Sequence, residues 1–362
     1  MTSRTGAELI VRALEDEGIR FSFGIPGTHN IPLYDALAAS RSVRTVLVTD
    51  EQSAGFMADG VWRANRELAC VNLVPGAGIT HALSGIAEAH LDGMAMLVLG
   101  SGIPDDPTKA FRLHGVDQLA IAAPVCKATF RSASAGELYR TIREACAVAR
   151  AGTPGPVMVE VPSDQYAASV DRSATAVSAS TPATPVDLSQ MREAITLLAA
   201  SDSRPLLYLG WGANSAGADL VRLAERLGAP VATTITGKGV FPEDHPLFLW
   251  NGFGAAAPPF ARKVAEDRNV TLAIGCRFGE VGTAGYTCVP PGALIHADID
   301  AGVFGRNYPA AATLTGDAAA IVAALLDKLP RPDRRDAELE RRIATGRAEV
   351  ATERLERAGT GR

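Results

Sequence analysis

No part of this sequence carries a long basic run, and its formal net charge is −5, so nucleic acid is not an expected partner. No apolar run is long enough to cross a bilayer, and no membrane association is expected. A signal-peptide pattern is also missing. Thr5-Gly6-Ala7-Glu8 reads instead as a capping box before an amphipathic helix, and a cytoplasmic chain is expected. The cysteines, Cys70, Cys126, Cys146, Cys276 and Cys288, form neither a CxxC pair nor a Cys/His cluster. Their apolar settings read as reduced core thiols, not as disulfides or zinc ligands. No two histidines stand at H-x-x-x-H spacing and no serine lies in G-x-S-x-G. A zinc site and an α/β-hydrolase nucleophile are both disfavoured, and no metal ligand set is expected.

What is present is a globular composition, 47% hydrophobic and 21% charged, over 362 residues, which is too long for one ordinary core and predicts two domains. Short apolar runs alternate with helical spacing. Strands are expected at Phe21–Gly24, Val43–Val48, Leu68–Val74, Met94–Gly100 and Val157–Val161, with helices between them. Residues 167–187 are rich in Ser, Thr, Ala and Pro and read as a linker. The alternation restarts with a helix from Leu188 and strands at Pro205–Leu209, Val231–Ile235, Leu272–Gly275 and Leu294–Ile299. The expected fold is therefore α/β, with two doubly wound parallel-sheet domains at 1–166 and 188–330. Residues 331–362 form a charged tail, expected to be an exposed helix with few apolar anchors.

The stretch Thr49 to Gly60 stands out because it places one carboxylate, Glu51, where a strand ends and a helix begins. Open α/β sheets bind ligands at that position. A plainer reading has Asp50 capping the helix and Glu51 complementing its dipole. Two glycine turns also follow strands, Gly76-Ala77-Gly78 and Gly210-Trp211-Gly212. Neither completes G-x-G-x-x-G, since His81 and Ser215 occupy the third glycine position. A nicotinamide or flavin oxidoreductase rests on these turns alone. Among the histidines, His245 reads as part of a surface turn, His90 as a helix end and His296 as a satisfied core residue. His29, His81 and His114 each fall on a loop or helix start near a strand's carboxyl end.

Taken together the motifs are more specific. Phe23-Gly24-Ile25-Pro26-Gly27, Pro32-Leu33-Tyr34-Asp35, Asp50-Glu51-Gln52 with Met57-Ala58-Asp59-Gly60, and Pro75-Gly76-Ala77-Gly78-Ile79-Thr80-His81 occur in that order. Val116-Asp117-Gln118-Leu119, Thr153-Pro154-Gly155-Pro156, Gly237-Lys238-Gly239-Val240-Phe241-Pro242 and Ile299-Asp300 follow. This series resembles the thiamine-diphosphate enzymes of the acetolactate synthase, pyruvate oxidase and benzoylformate decarboxylase type, over roughly residues 5 to 330. The resemblance implies a pyrimidine-binding domain followed by a Rossmann-like central domain.

It also implies roles. Glu51 matches the glutamate that hydrogen-bonds the pyrimidine N1′ and promotes removal of the thiazolium C2 proton, and so is the catalytic candidate. Pro26, Gly27, Val74, Gly76 and His81 fall with it in the cofactor-binding motifs. Thr28 and His29 belong to a substrate-facing loop, and His114 matches a residue that reaches the cofactor across a dimer interface. The family's third domain, whose GDG motif and downstream Asn hold Mg²⁺ and the diphosphate, has its nearest echo in Gly316-Asp317-Ala318. A separate chain carrying that domain is therefore expected, in a homodimer or heterotetramer, unless the chain is a truncation. The arginine of an R-P-x-x-K flavin motif is replaced in Ala123-Pro124-Val125-Cys126-Lys127, so FAD is not expected. The expected activity is decarboxylation of a 2-oxo acid, with or without carboligation. The rival is a non-catalytic binding or regulatory protein derived from such an enzyme.

Overall fold

A computed structural model describes residues 3–104, 108–170, 186–330 and 334–359. The chain divides into two compact units, Met1–Pro182 and Ala183–Arg362.

The first unit opens with β1 (Arg4–Thr5) and α1 (Gly6–Asp16). The capping box forms: Thr5 Oγ1 accepts from Glu8 N at 3.2 Å, and Glu8 Oε2 accepts from Thr5 N at 2.8 Å. Then come β2 (Phe21–Gly24), α2 (Ile31–Ala39), β3 (Arg44–Leu47), α3 (Glu51–Asn65), β4 (Cys70–Leu73), α4 (Ala77–Asp92) and β5 (Met96–Gly102). The unit closes with α5 (Gln118–Ala122), β6 (Ala128–Arg131), α6 (Leu138–Arg150), β7 (Pro156–Pro162), α7 (Ser163–Ala167) and β8 (Ser169–Val170). Six strands make one parallel sheet in the order β3-β2-β4-β5-β7-β6. Helices on both faces bury β4, β5 and β7 completely, which is why these strands are mostly apolar in the sequence, interrupted by the buried polar residues Asn72, Ser101 and Glu160. β6, a half-buried edge strand of four residues, is not among the strands expected from the sequence.

Most of the expected linker, 171–185, lies outside the described residues. At its start, Ser169–Val170 pairs antiparallel with Arg4–Thr5 and so belongs to the first unit.

The second unit holds α8 (Leu188–Ala199), β9 (Pro205–Leu209), α9 (Gly217–Leu227), β10 (Val231–Thr233), β11 (Phe248–Asn251), α10 (Pro259–Glu266), β12 (Val270–Ile274), β13 (Ala293–Asp298), β14 (Ala312–Thr315), α11 (Ala318–Lys328) and α12 (Ala337–Gly359). Its parallel sheet runs β11-β10-β9-β12-β13-β14, the strand order of doubly wound dinucleotide folds. The fold class expected from the sequence holds in both units. Helix α12 is the charged tail. It is anchored by Leu339 and Ile343, both buried in the core of this unit, and packs on α10 at Gly346, where an added Cβ would come within 2.2 Å of the Phe260 ring. No described helix is long and apolar enough to cross a membrane.

One histidine expectation needs correction. His296 is buried but only half satisfied: Nε2 bonds the Cys276 carbonyl at 2.8 Å, while Nδ1 has no partner. Burial lowers its pKa. His245 lies in the expected surface turn, beside exposed Asp244 and Pro246, with its Nδ1 accepting from Leu247 N at 3.1 Å and its ring edge-on against Phe241.

Candidate active site

The sheet of the first unit reverses direction between β2 and β4, and the segments leaving β2, β3, β4 and β5 carry the candidate residues. Such a reversal opens a crevice at the carboxyl ends of the strands.

Local chemistry separates Asp50 from Glu51. Asp50 is the N-cap of α3, its Oδ1 accepting from Gln52 N at 3.0 Å. Glu51 is therefore not needed as the cap. Its side chain is only 13% exposed, and among the described residues its one ionic contact is with His81, whose Nδ1 lies 3.5 Å from Oε2. The other oxygen, Oε1, lies 3.4 Å from where a Cβ on Gly78 would sit. Close packing of two helices holds this arrangement. Gly55 of α3 lies against Gly85 of α4, where an added Cβ on Gly85 would come within 2.7 Å of Phe56 N. A side chain at either position would push Glu51 away from the turn that begins α4.

That turn needs its glycines. Gly76 has φ +67°, a conformation unfavourable for other residues, and a Cβ there would meet the His114 ring at 3.2 Å. Val74 is wedged between two turns: Cβ atoms on Gly27 or Gly78 would each approach its methyl groups to 2.7 Å. The loop after β2 is pinned from below by Asn30, fully buried, whose Oδ1 accepts from Gly27 N at 2.7 Å. Beneath it, Tyr34 Oη and Asn72 Nδ2 are buried without partners. Burial drives the Tyr34 phenol far above its ordinary pKa, with nearby Cys70 and then Glu51 adding to the shift.

His29 and His114 meet edge to face, with ring centroids 5.7 Å apart. Burial, and then the nearby His114 imidazole, lowers the pKa of His29. His114 itself sits at φ +62°, a strained conformation for a non-glycine residue.

The structure thus brings together Gly27, His29, Glu51, Val74, Gly76, His81 and His114. Pro26 and Thr28 lie exposed on the same loop. Two positioning residues escaped the sequence reading. Gln118, buried at 2% exposure, accepts from Gly76 N at 3.3 Å and donates to the Ser101 carbonyl at 2.9 Å. Asn30 is the other. Gln118 lies within a quoted motif, but only its 42-residue reach back to Gly76 reveals what it does.

The second glycine turn is built differently. Gly210 N donates to the Ile274 carbonyl at 3.0 Å and Gly212 N to the Gly275 carbonyl at 3.1 Å. Both donors are spent on the neighbouring strand end, so this turn does not offer them to a phosphate.

Residues 4–121 match the family model for the thiamine pyrophosphate enzyme N-terminal TPP binding domain, and residues 191–325 match that for the thiamine pyrophosphate enzyme central domain. The chain belongs to the thiamine pyrophosphate enzyme family. It is 35% identical over 342 residues to a probable acetolactate synthase large subunit of Methanocaldococcus jannaschii, covering 92% of this chain and 57% of that protein. It is also 35% identical over 349 residues to a probable 2-ketoarginine decarboxylase of Pseudomonas aeruginosa, covering 96% and 62%. With the acetolactate synthase isozyme 1 large subunit of Escherichia coli it shares 30% identity over 325 residues, covering 89% and 57%. The chain therefore spans 57–62% of the length of these relatives.

The residues at the crevice suit the pyrimidine half of the family's coenzyme. A sheltered carboxylate whose one ionic neighbour among the described residues is His81 can receive a ring nitrogen, the Val74 side chain offers an apolar surface, and the bare glycines allow close approach. Asp50, Glu51 and His81 each place a ligating atom within 4.8 Å of the others. This is a mixed set, whereas phosphate-bound Mg²⁺ prefers octahedral oxygen ligands.

Proposed function

We propose that this chain provides the pyrimidine-binding domain and a flavin-free central domain of a thiamine diphosphate enzyme. Its reaction is decarboxylation of a 2-oxo acid with transfer of the acyl unit to a second carbonyl, as in acetolactate synthase. The observation that carries this reading is Glu51: a carboxylate 13% exposed, released from capping by Asp50 and held over a glycine turn at the sheet's reversal point.

Bound thiamine diphosphate supplies a nucleophilic thiazolium carbon and an electron sink for decarboxylation. Glu51 holds and returns a proton at the pyrimidine N1′. Val74 would offer the coenzyme an apolar surface. Gly27, Gly76 and Gly78 keep its path clear, and His81 stays beside the carboxylate. His29 and His114 line the approach of the substrate, with His29 favoured as the neutral imidazole.

The diphosphate and Mg²⁺ are held by protein outside these 362 residues, on a partner chain or in a longer form of this one. Asp317, the nearest echo of the metal motif, supports this. Its Oδ1 caps α11 by accepting from Ala319 N at 2.9 Å and Ala320 N at 3.3 Å. The completed site lies between protomers in a homodimer or heterotetramer. Phe56 and Met57, 42% and 44% exposed on α3 within two turns of Glu51, are suited to such an interface. The flavin-free reading is supported by the spent donors of Gly210 and Gly212 and by Ala123 in place of arginine.

The test combines the chain with a partner bearing the GDG-to-Asn domain, thiamine diphosphate and Mg²⁺, and measures pyruvate consumption. Activity lost in Glu51→Gln supports the reading, and full retention refutes the role of Glu51. Failure to bind the coenzyme with any partner leaves the non-catalytic binding protein as the better account.

A further inference from the structure

Glu51 and the imidazole beside it differ sharply in their access to water. The Glu51 side chain is 13% exposed, whereas that of His81 is 67% exposed, yet His81 Nδ1 lies 3.5 Å from Glu51 Oε2. The two come from different helices, Glu51 from the first residue of α3 and His81 from early in α4. The close approach of Gly55 to Gly85 fixes the spacing of those helices. Asp50 is the other carboxylate that faces the ring, with Oδ1 4.0 Å from the same nitrogen. That oxygen already accepts from Gln52 N as the helix cap.

The two oxygens of Glu51 therefore have different surroundings. Oε1 lies over Gly78 in the glycine turn, and Oε2 meets a ring that reaches solvent. A carboxylate that receives a ring nitrogen on the first oxygen keeps the second for exchange with His81. Such exchange is needed in the proposed reaction. Decarboxylation of a 2-oxo acid replaces a carboxylate by hydrogen, so each turnover draws a proton from water. Imidazole binds a proton at one ring nitrogen and releases one from the other near neutral pH, which suits it to carry that proton past a closed crevice.

We propose that His81 is the conduit for protons between solvent and Glu51. The Nδ1 proton passes to Glu51 Oε2 while Nε2 takes a proton from water, and exchange with water returns the ring to its Nδ1–H form. The reverse sequence discharges the carboxyl group. His81 is thus a positioning residue that acts through Glu51 and not on the substrate. The use made of the proton rests on the proposed function, and the contact between the two side chains does not.

The first test reads the full 362-residue chain without coenzyme. Nitrogen-15 spectra of the neutral His81 ring are expected to place the proton on Nδ1, and to show it moved to Nε2 in Glu51→Leu. A proton on Nε2 in the unsubstituted chain overturns the conduit. No change in Glu51→Leu assigns the contact to Asp50 and overturns it as well. The second test follows exchange of the thiazolium C2 hydrogen of bound thiamine diphosphate in deuterated water, in the assembled enzyme. His81→Asn keeps a donor in the place of Nδ1 but cannot pass a proton through. It is expected to slow the exchange at least about tenfold, with coenzyme affinity unchanged and the rate partly restored by added imidazole. Exchange in His81→Asn as fast as in the unsubstituted enzyme shows that His81 only orients Glu51, which overturns the conduit and leaves the proposed function standing. If Nδ1 carries the proton but the chain binds no coenzyme with any partner, the contact stands and the proposed function fails.

Discussion

The two halves of this chain solve one packing problem in opposite ways. Each is a six-stranded parallel sheet whose order reverses beside a glycine turn, between β2 and β4 in the first unit and between β9 and β12 in the second. In the first, the strand ends carry Glu51, His81, His29 and His114, and the glycines make room for them. In the second, backbone fills the reversal point. A Cβ on Gly212 would sit 2.8 Å from Gly275 Cα, and one on Gly210 would sit 2.0 Å from the Gly275 carbonyl oxygen. Aromatic rings then pack around the ends of β9 and β13: Tyr208 meets Phe253 at 5.0 Å, and Phe278 meets His296 at 5.2 Å. A doubly wound sheet thus provides a place for a ligand, and the side chains at the strand ends decide whether the place is kept.

The largest test of that contrast is Glu51→Gln. In the assembled enzyme it is expected to lower turnover about 10²- to 10⁴-fold while leaving the unfolding of both units unchanged, as read by steady-state kinetics and calorimetry. Next comes Gly85→Ala, whose Cβ would fall 2.7 Å from Phe56 N. A destabilisation of about 1–3 kcal/mol is expected, together with weaker coenzyme binding, because the α3–α4 contact carries Glu51. Gly212→Ala is the matched control in the second unit: a similar loss of stability in denaturant titrations, with coenzyme affinity unchanged. If Gly212→Ala also weakened the coenzyme, the two crevices would not be functionally separate.

The smallest effect is on pH dependence. His29 and His296 both have lowered pKa values, chiefly from burial. The folded chain favours the neutral imidazole, so the unfolded chain takes up the proton first as pH falls through its ordinary value of 6.5. The stabilisation is present above 6.5 and is lost on acidification below it. His296→Gln is expected to flatten the fall in melting temperature between about pH 6.5 and 5 more than His29→Gln does, since His296 is the more deeply buried. Equal slopes would contradict the greater burial assigned to the second unit.

Legibility in the sequence followed burial. β4, β5 and β7 could be read directly because strands covered on both faces are predominantly apolar. β6, β11 and β14 could not, because each has four residues, of which at least two are only partly buried, too short for a run or an alternation to stand out. Glu51 stood out through its motif neighbours. Gln118, Asn30 and the pairing of Gly55 with Gly85 did not, since each acts on a partner that no local pattern identifies.

The order of residues alone determined the alternation of strands and helices, the two sheets and the family motif around Glu51, because periodicity and short motifs are local properties of a chain. Only the tertiary structure decided that Asp50 caps α3 while Glu51 does not, that Val74 wedges two turns apart, and that Gly210 and Gly212 spend their donors on the strand end at Ile274 and Gly275. A hydrogen-bond donor or a void is assigned by whatever segment arrives beside it, and that segment lies tens of residues away.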